Sequence, residues 1–347
     1  MIEQFAETIR EAAARGRALR LRGGGTKDFY GNALRGEVLD TRSYAGIVDY
    51  EPTELVVTAR CGTPLADLES TLEANGQCLP FEPPHFGAGA TLGGCIAAGL
   101  SGPRRASAGA LRDFVLGVKL VDGRGQALAF GGRVMKNVAG YDVSRLVAGS
   151  LGTLGMIAEV SLKLAPKPRI ETTLRQEAPL ARALELLNRW AGQPLPISAS
   201  AWHDGALLVR LSGSEAGVRA AAATLGGDRI AAPSWTELRE HTVPFFSGAE
   251  PLWRLAVASS APPLELEGPQ LIEWGGSLRW LRSTQGAAVI RDAARRAKGH
   301  ATLFRAADRS AGCFTPLDAV LERMHRRLKA AFDPAGILNP GRLYAGL

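Results

Sequence analysis

GAGATLGGCIAAGLSGPRR (87–105), followed by RDFVLGVKLVDGRGQALAFGGRVMKNVAGYD (112–142) and SRLVAGSLGTLGMIAEVSLKLAPKP (144–168), is the stretch on which the fold depends. Glycines recur here at irregular spacing between small apolar residues. Glycine allows a backbone to approach another group closely and to adopt positive φ. The runs VLGVKLV (115–121) and MIAEVSLKL (156–164) predict strands and argue against a disordered linker. The pattern favours ligand-binding loops between strands; a Gly-rich turn region of an ordinary α/β domain is the alternative.

The whole chain has the composition of a globular protein. Its 347 residues are 46% hydrophobic and 22% charged, which predicts two domains, or one domain with a large insertion. The net charge of +7 is compatible with a nucleic acid, an anionic surface, an acidic partner or a small anionic substrate. Because no tract alternates basic residues with aromatic ones, we expect no nucleic-acid binding.

Cysteine spacing and hydropathy exclude several further classes. The four cysteines are Cys61, Cys78, Cys95 and Cys313. None are spaced as CxxC, so the sequence predicts no metal site, no iron–sulfur cluster and no disulfide framework. There is no apolar signal segment and no apolar run of membrane-spanning length. We expect a cytoplasmic protein that reaches the inner face of the cytoplasmic membrane only through partners.

The segment RGGGTKDFYG (22–31) is a candidate phosphate loop. Consecutive glycines allow backbone N–H groups to converge on an anion such as a diphosphate, and Thr26 adds a hydroxyl. The Walker motif needs GxxxxGK[ST], and the Rossmann fingerprint needs GxGxxG at the start of a helix; neither is present. A plain Gly-rich turn is the alternative.

Hydrophobic periodicity gives the elements of the first half. We predict a helix from Ile2 to near Arg15, a helix capped by Thr63 with Pro64 at its first position, and a tight loop with one helical turn at 91–102. The remaining predicted elements are strands at 18–22, 38–41, 55–62, 78–81 and 155–164, a hairpin at 116–130 and a helix capped by Asp142.

After Pro168 strands and helices interleave, which predicts a second α+β unit. The predicted helices are 180–190, 215–225, 287–297 and 316–332, and the predicted strands are 197–203, 206–211, 252–258 and 271–281.

Taken together, these stretches resemble the flavoprotein superfamily of vanillyl-alcohol oxidase and p-cresol methylhydroxylase, and within it the FAD-binding subunits of bacterial glycolate oxidases. The resemblance rests on RGGGTKDFYG (22–31), TLGGCIAAGLSGPRR (91–105), GALRDFVLGV (109–118), KNVAGYDVSRLVAGSLGTLGMIAE (136–159), LWRLAV (252–257), WGGSLRWL (274–281), HATLFR (300–305) and FDPAGILNPGRL (332–343). It implies an α+β fold. The implied units are a p-cresol methylhydroxylase-type FAD domain at 1–168 (subdomains at about 1–60 and 61–168), an α+β cap at 169–305 and a returning C-terminal segment at 306–347.

The same resemblance implies which residues hold the cofactor. The first loop is Gly23, Gly24, Gly25, Thr26, Lys27 and Asp28, and the second is Thr91, Gly93, Gly94, Gly99, Ser101 and Gly102. Ile157 is the strand residue beside the adenine. Lys136, Asn137 and Tyr141 shape the pocket, or serve packing alone. Asn339 and Gly341 bring the C-terminal segment back near the flavin.

Three departures from the family pattern bear on chemistry. Leu151 stands where catalytic members have an acidic residue in GSxGTLG, and the five histidines lack the spacing of the family's metal site. The first loop has no histidine, so non-covalent FAD is expected.

Oxidation of a 2-hydroxy acid needs a cation for the carboxylate and a base. Arg254 and His300 are the candidates; the alternatives are an ion-paired arginine and a histidine without a role.

The resemblance therefore implies a subunit of a complex that oxidises glycolate to glyoxylate. A larger catalytic flavoprotein subunit and an iron–sulfur subunit are the implied partners. Two alternatives remain: a self-sufficient FAD-dependent 2-hydroxy-acid dehydrogenase, and a structural subunit that binds flavin weakly or not at all.

Overall fold

The computed structural model describes residues 1–132, 142–231 and 235–347. In these ranges the helices are α1 (Ile2–Ala14), α2 (Leu65–Ala74), α3 (Leu92–Ala98), α4 (Arg105–Ala108), α5 (Val143–Leu146), α6 (Leu180–Ala191), α7 (Glu215–Leu225), α8 (Trp235–Glu240), α9 (Ala287–Arg296) and α10 (Ala319–Phe332). The strands are β1 (Leu19–Arg22), β2 (Glu37–Asp40), β3 (Ile47–Glu51), β4 (Val56–Arg60), β5 (Gln77–Cys78), β6 (Val115–Val121), β7 (Ala127–Gly131), β8 (Met156–Lys163), β9 (Ala165–Pro166), β10 (Ile170–Glu177), β11 (Ile197–His203), β12 (Ala206–Gly213), β13 (Asp228–Ile230), β14 (Leu252–Ala256), β15 (Gln270–Glu273), β16 (Leu278–Arg282) and β17 (His300–Arg305).

The N-terminal region, residues 1–168, is organised around an antiparallel sheet in the order β3-β4-β8-β6-β7. Its central strand β8 is buried along most of its length because both of its faces are covered. Met156 and Ala158 belong to the cluster that contains the apolar face of α1, whereas Ile157, between them, belongs to the cluster of α2 and α3. Successive residues of a strand point to opposite faces, so one strand joins two cores.

A small parallel pair, β1 with β2, lies beside this sheet and receives the end of the chain. The Leu19 amide donates to the Ile337 carbonyl over 2.7 Å, and the Asn339 amide donates to the Leu19 carbonyl over 2.9 Å. The first glycine loop leaves directly from β1, so the end of the chain fixes the strand from which that loop emerges.

Residues 170–305, here called the cap, form an antiparallel sheet in the order β13-β10-β12-β11-β15-β16-β14-β17. Helices α6 and α7 pack on the cluster around β10 and β12, and α9 packs on the cluster around β14 and β17. A third cluster joins cap residues such as Trp280 and Phe304 to Tyr30, Leu100 and Leu151 of the N-terminal region. This shared cluster holds the sheet of the cap over the glycine loops.

Several predicted elements differ from those observed. Residues 92–98 form a two-turn helix, because the Thr91 hydroxyl accepts from the Gly94 amide and Gly99 ends the helix at a φ of +65°. Thr63 caps no helix; its hydroxyl accepts from the Gly46 amide over 2.9 Å, and Pro64 is the N-cap of α2. The strand predicted at 271–281 is two strands, since the chain turns at Gly275, whose φ is +64°. Five of the observed strands, β3, β9, β10, β13 and β17, were not predicted.

The carboxylate of Glu82, in the N-terminal region, forms an ion pair with Arg210 of the cap. Glu82 accepts from the Arg210 guanidinium over 2.8 Å, from the Arg104 side chain over 3.2 Å and from the Arg104 amide over 2.9 Å. Arg210 lies on β12 and is only 4% exposed. A buried guanidinium that loses its carboxylate stays desolvated without compensation, so Glu82 is important for holding the two regions together.

We therefore expect Glu82→Ala to lower the free energy of unfolding by about 3 kcal/mol, because the buried Arg210 loses its hydrogen-bonded carboxylate and keeps only Glu171, 3.9 Å away. Glu215→Ala is the matched control. It breaks the exposed Glu215–Arg219 pair on α7, which contributes about 0.5 kcal/mol or less. Urea denaturation of both variants measures the difference. Equal midpoints for the two variants would contradict this role of Glu82.

Candidate cofactor groove and substrate cavity

The two predicted glycine loops lie against each other along one side of a groove of about 800 Å³. A Cβ on Gly24 would overlap the carbonyl oxygen of Gly89, and a Cβ on Gly23 would overlap the Thr91 hydroxyl. These two glycines are therefore required by contact between the loops themselves.

The first loop, residues 23–28, presents a row of free donors. In the part of the chain that the structure describes, no acceptor bonds to the amides of Gly23, Gly24, Gly25, Thr26 or Lys27. Gly25 has a φ of +73°, which turns successive amides toward a common side. Successive free N–H groups in a turn form an anion-binding concavity. The loop fits the diphosphate of a dinucleotide.

Cations surround the same groove. Lys27 lines it and donates to the His85 carbonyl over 3.2 Å, and burial lowers the pKa of Lys27. Arg342, in the C-terminal segment, lines it as well and donates to the carbonyls of Asp28 and Tyr30; burial lowers its pKa to about 10. The Asp28 carboxylate is paired with Arg20 and Arg22, so it orients arginines at the edge of the groove.

The second loop contributes a different surface from the first. Thr91, Gly93 and Gly94 line the groove, but the amides of Leu92, Gly93 and Gly94 are already bonded to the protein. A Cβ on Gly93 would lie 2.7 Å from the Cβ of Cys61. The glycines of α3 therefore allow this helix to pack against the protein, and its backbone presents a smooth wall to the groove.

The remaining predicted binding residues lie in several different places. Gly99 ends α3 and packs on Gly149, with its hypothetical Cβ 2.7 Å from the Gly149 Cα, and it lines neither space. Ser101 and Gly102 line a separate cavity of about 310 Å³ between the N-terminal region and the cap. Ile157 and Asn339 line the groove. Gly341 borders a surface depression elsewhere.

Asn339 joins three segments at the groove. Its side-chain oxygen accepts from the Leu21 amide over 2.8 Å, and its amide group donates to the Leu151 carbonyl over 2.6 Å. Its φ is +42°, a region in which asparagine is better tolerated than most residues. Lys136, Asn137 and Tyr141, which the sequence also suggested for the site, lie outside the described residues.

Arg254 lines the cavity between the two regions. Its guanidinium stands 5.2 Å from the ring centroid of Trp274, and no described residue hydrogen-bonds or ion-pairs with it. Burial lowers the pKa of Arg254, and Tyr30 and Glu273 oppose that shift. A partly buried arginine without a counter-ion is a candidate binding group for an anion.

The registers of β14, β16 and β17 place the two predicted catalytic residues on one face of the cap sheet. Arg254 pairs with Thr302, and His300 pairs with Ala256, so the side chains of Arg254 and His300 are diagonal neighbours. Burial and Arg254 together lower the pKa of His300. His300 does not line the cavity, however, and its side chain is exposed.

Sequence reasoning missed two ionisable residues of this cavity. His241, at a φ of +57°, stacks on Phe246 at 3.8 Å, and its buried Nδ1 has no hydrogen-bond partner in the described ranges. Burial, Arg305 and Arg254 hold the pKa of His241 well below its usual range. Glu273 is 5% exposed, and burial raises its pKa to about 7. Both lie outside any motif, so the sequence carried no signal for them.

The described residues contain neither a candidate metal site nor a helix that could span a membrane. No group of three or more histidine, cysteine, aspartate or glutamate residues in the described ranges is arranged to hold a metal ion. None of the helices that the structure describes combines the length and apolar character needed to cross a membrane.

Comparison with known proteins supplies the family. Residues 1–131 match the FAD binding domain family, and residues 317–343 match the C-terminal domain of FAD linked oxidases. Over 341 residues, 98% of this chain and 97% of the relative, the chain is 50% identical to glycolate oxidase subunit GlcE of Escherichia coli (strain K12). The chain belongs to the GlcE family of FAD-linked oxidase subunits. The resemblance found in the sequence is thereby confirmed.

Other relatives match the GlcE-family chain over shorter stretches. Glycolate oxidase subunit GlcD of Bacillus subtilis (strain 168) is 36% identical over 128 residues, which is 37% of this chain and 27% of that protein. A D-lactate dehydrogenase of Archaeoglobus fulgidus is 35% identical over 158 residues, 44% of this chain and 34% of that protein. Relatives named for 2-hydroxy acids thus share part of this GlcE-family sequence.

A solved structure of alkyldihydroxyacetonephosphate synthase shares the fold. It superposes with a TM-score of 0.68 over 97% of this chain and 75% of that chain, at 16% sequence identity. The α+β fold of the p-cresol methylhydroxylase type, which the sequence predicted for this GlcE-family member, is confirmed. The free amides and cations of the groove fit the anionic diphosphate of FAD.

Proposed function

We propose that this chain is the non-covalent FAD-binding subunit of a glycolate oxidase complex that oxidises glycolate to glyoxylate. The observation that supports it most directly is the row of five unpartnered amides in the first glycine loop. That row occurs in a chain 50% identical, over nearly its whole length, to a glycolate oxidase subunit. The electrons then pass to an iron–sulfur partner subunit.

The groove residues have separate roles in holding FAD. The amides of the first loop and the Lys27 ammonium bind the diphosphate. Thr91, Gly93, Gly94 and the backbone at Ile157 form the wall against which the rest of the cofactor lies. Bound FAD supplies the hydride acceptor for oxidation of an alcohol carbon. Lys136, Asn137 and Tyr141 remain proposed pocket residues.

Non-covalent attachment is supported by the state of the nearby nucleophiles. No histidine or tyrosine is among the described residues that line the groove. Burial raises the pKa of the Cys61 thiol, which does line it, to about 11, and this keeps the thiol protonated and unreactive at neutral pH.

Arg254 binds the carboxylate of the 2-hydroxy acid in the cavity. A guanidinium matches a carboxylate with two parallel hydrogen bonds, and this one has no competing partner among the described residues. His300 remains a proposed proton acceptor because it lies diagonally beside Arg254 on the same face of the sheet.

The proposed function requires two partner subunits. The chain has no predicted cluster site, so electrons that leave its flavin need an iron–sulfur subunit, and a larger flavoprotein subunit acts on the substrate with it. The name "subunit" of the E. coli relative supports an assembly. Contact with the cytoplasmic membrane would come through these partners, and no nucleic acid is involved.

Purified protein should show the visible absorption of oxidised flavin, and acid precipitation should release all of it into the supernatant, because nothing covalent holds it. Glycolate is then added without oxygen, first to the chain alone and then with its partner subunits. Bleaching only with the partners supports the proposal. Bleaching of the chain alone would indicate a self-sufficient dehydrogenase, and a protein that stays colourless after reconstitution would indicate a structural subunit. Flavin that remains with the precipitate would overturn non-covalent attachment.

A further inference from the structure

The Glu273 carboxyl faces the same cavity as the unpaired Arg254. One of its oxygens accepts from the Trp280 indole N–H over 2.7 Å, and the residue is 5% exposed. Trp280 pairs with Arg254 in the β14–β16 register, so Arg254 and the hydrogen-bond partner of Glu273 are cross-strand neighbours. One cavity therefore holds a cation and a carboxyl that have no ion-pair partner among the described residues.

We propose that this cavity binds a small monocarboxylate together with one proton, with Arg254 holding the anion and Glu273 holding the proton. This inference rests on the proposed function, because it describes how the substrate of that function is bound. A protonated carboxyl donates a hydrogen bond to the bound anion, whereas an ionised one would repel it in a poorly solvated space.

The charges around Glu273 support this arrangement. Burial is the largest influence on the carboxyl and raises its pKa to about 7, while the Trp280 hydrogen bond and Arg254 lower it and the Glu82 carboxylate raises it. The other ionisable side chains near it are His241 and Arg239 from the α8 end, Arg105 on α4 and Arg279 on β16. Arg239 is paired with Glu240, and Arg279 bonds to carbonyls at 261, 262 and 276. Arg105 stands over Trp274 at 4.4 Å.

The affinity for the anion depends on pH because ionised Glu273 and the bound anion compete for the charge of Arg254. In the free protein Glu273 loses its proton as pH rises through about 7, and its carboxylate then stabilises Arg254 electrostatically. An anion that binds at higher pH must bring a proton with it, because two carboxylates cannot share this space. Affinity is therefore constant below that pH and falls about tenfold per pH unit above it.

The test uses the flavin-loaded chain and oxamate, a monocarboxylate that cannot donate a hydride. Isothermal titration calorimetry in two buffers of different ionisation enthalpy, at pH 8, measures the protons taken up per anion. We expect about one proton for the wild type. Glu273→Gln keeps an acceptor for Trp280 but cannot ionise; it should take up none and keep its affinity from pH 6 to pH 9. His241→Gln tests the other ionisable group of the cavity and should still take up the proton.

Flavin content and near-ultraviolet circular dichroism show whether each variant folds. If one does not, proton uptake by the wild type still tests the inference. Oxamate binding without proton uptake, uptake that survives in Glu273→Gln, or uptake that disappears only in His241→Gln would each overturn the inference. Oxamate that fails to bind at pH 6 would overturn it as well. If oxamate binds with a proton but glycolate never reduces the flavin, the proposed function fails while this site stands.

Discussion

Gly24→Ala should leave the protein unable to retain FAD. The added methyl group would overlap the Gly89 carbonyl oxygen, which belongs to backbone and cannot rotate away. Relief of the overlap must separate the two loops and misalign the amides at 23–27. Overpacking against backbone of this kind costs about 3 kcal/mol, which corresponds to a loss of FAD affinity of about 100-fold or more.

Gly89→Ala is the matched control, since it adds the same methyl group from the opposite side of the same contact. A Cβ on Gly89 would lie 3.5 Å from the Gly24 carbonyl oxygen, an ordinary contact. FAD per polypeptide after gel filtration, and the Kd from flavin fluorescence titration, measure both variants. Full FAD content in Gly24→Ala, or equal losses in the two variants, would contradict the packing argument.

Arg254→Met should reduce the second-order rate constant for flavin reduction by glycolate by about 100-fold or more in the assembled complex. A carboxylate that loses its guanidinium partner in a desolvated cavity loses about 3 kcal/mol of binding. Arg254→Lys keeps the charge but not the two-pronged geometry, and we expect an intermediate rate.

Stopped-flow absorption at increasing glycolate concentrations separates binding from the chemical step. FAD content should stay at the wild-type level in both Arg254 variants, because Arg254 lies in the cavity and not in the groove. Arg219→Met, on the exposed surface of α7, is the control for the loss of one arginine. A rate for Arg254→Met within threefold of that control would show that the carboxylate binds elsewhere.

Much of the fold follows from local sequence. The α1 and α7 helices, the β6–β7 hairpin and the Asp142 cap were predicted correctly because each depends on neighbouring residues alone. Their signals are apolar periodicity, a turn at 122–125 and side chains suited to an N-cap.

Tertiary contacts decided the elements that the sequence misplaced. Helix propensity argued against LGGCIAA (92–98), yet Gly93 is needed so that the helix can pack against Cys61, and that contact offsets the cost of glycine. The run at 271–281 has large apolar residues on both sides of Gly275 and Gly276, so only these two glycines mark the turn. β10 has only two large apolar residues, Ile170 and Leu174, and it is covered by α7, which is distant in sequence.

The two sites differ in how far the sequence could define them. The groove is built largely from short contiguous motifs, so its lining from Gly23 to Asp28 was predictable. The cavity combines residues 100–103 with single residues on α8, β14, β15 and β16, which only tertiary packing and the sheet register bring together. Arg254 was recognisable by its charge in an apolar strand. His241 and Glu273 are defined by burial, which one sequence does not reveal.

The attachment of residues 337–342 to β1 has a consequence for biosynthesis. Leu19 is synthesised 318 residues before its partner Ile337, and the groove residues Asn339 and Arg342 follow Ile337. The strand that carries the first glycine loop therefore gains this neighbour only after all of the intervening residues have been made. A chain truncated before Ile337 has no finished place for a dinucleotide, so we expect such products to stay apoproteins.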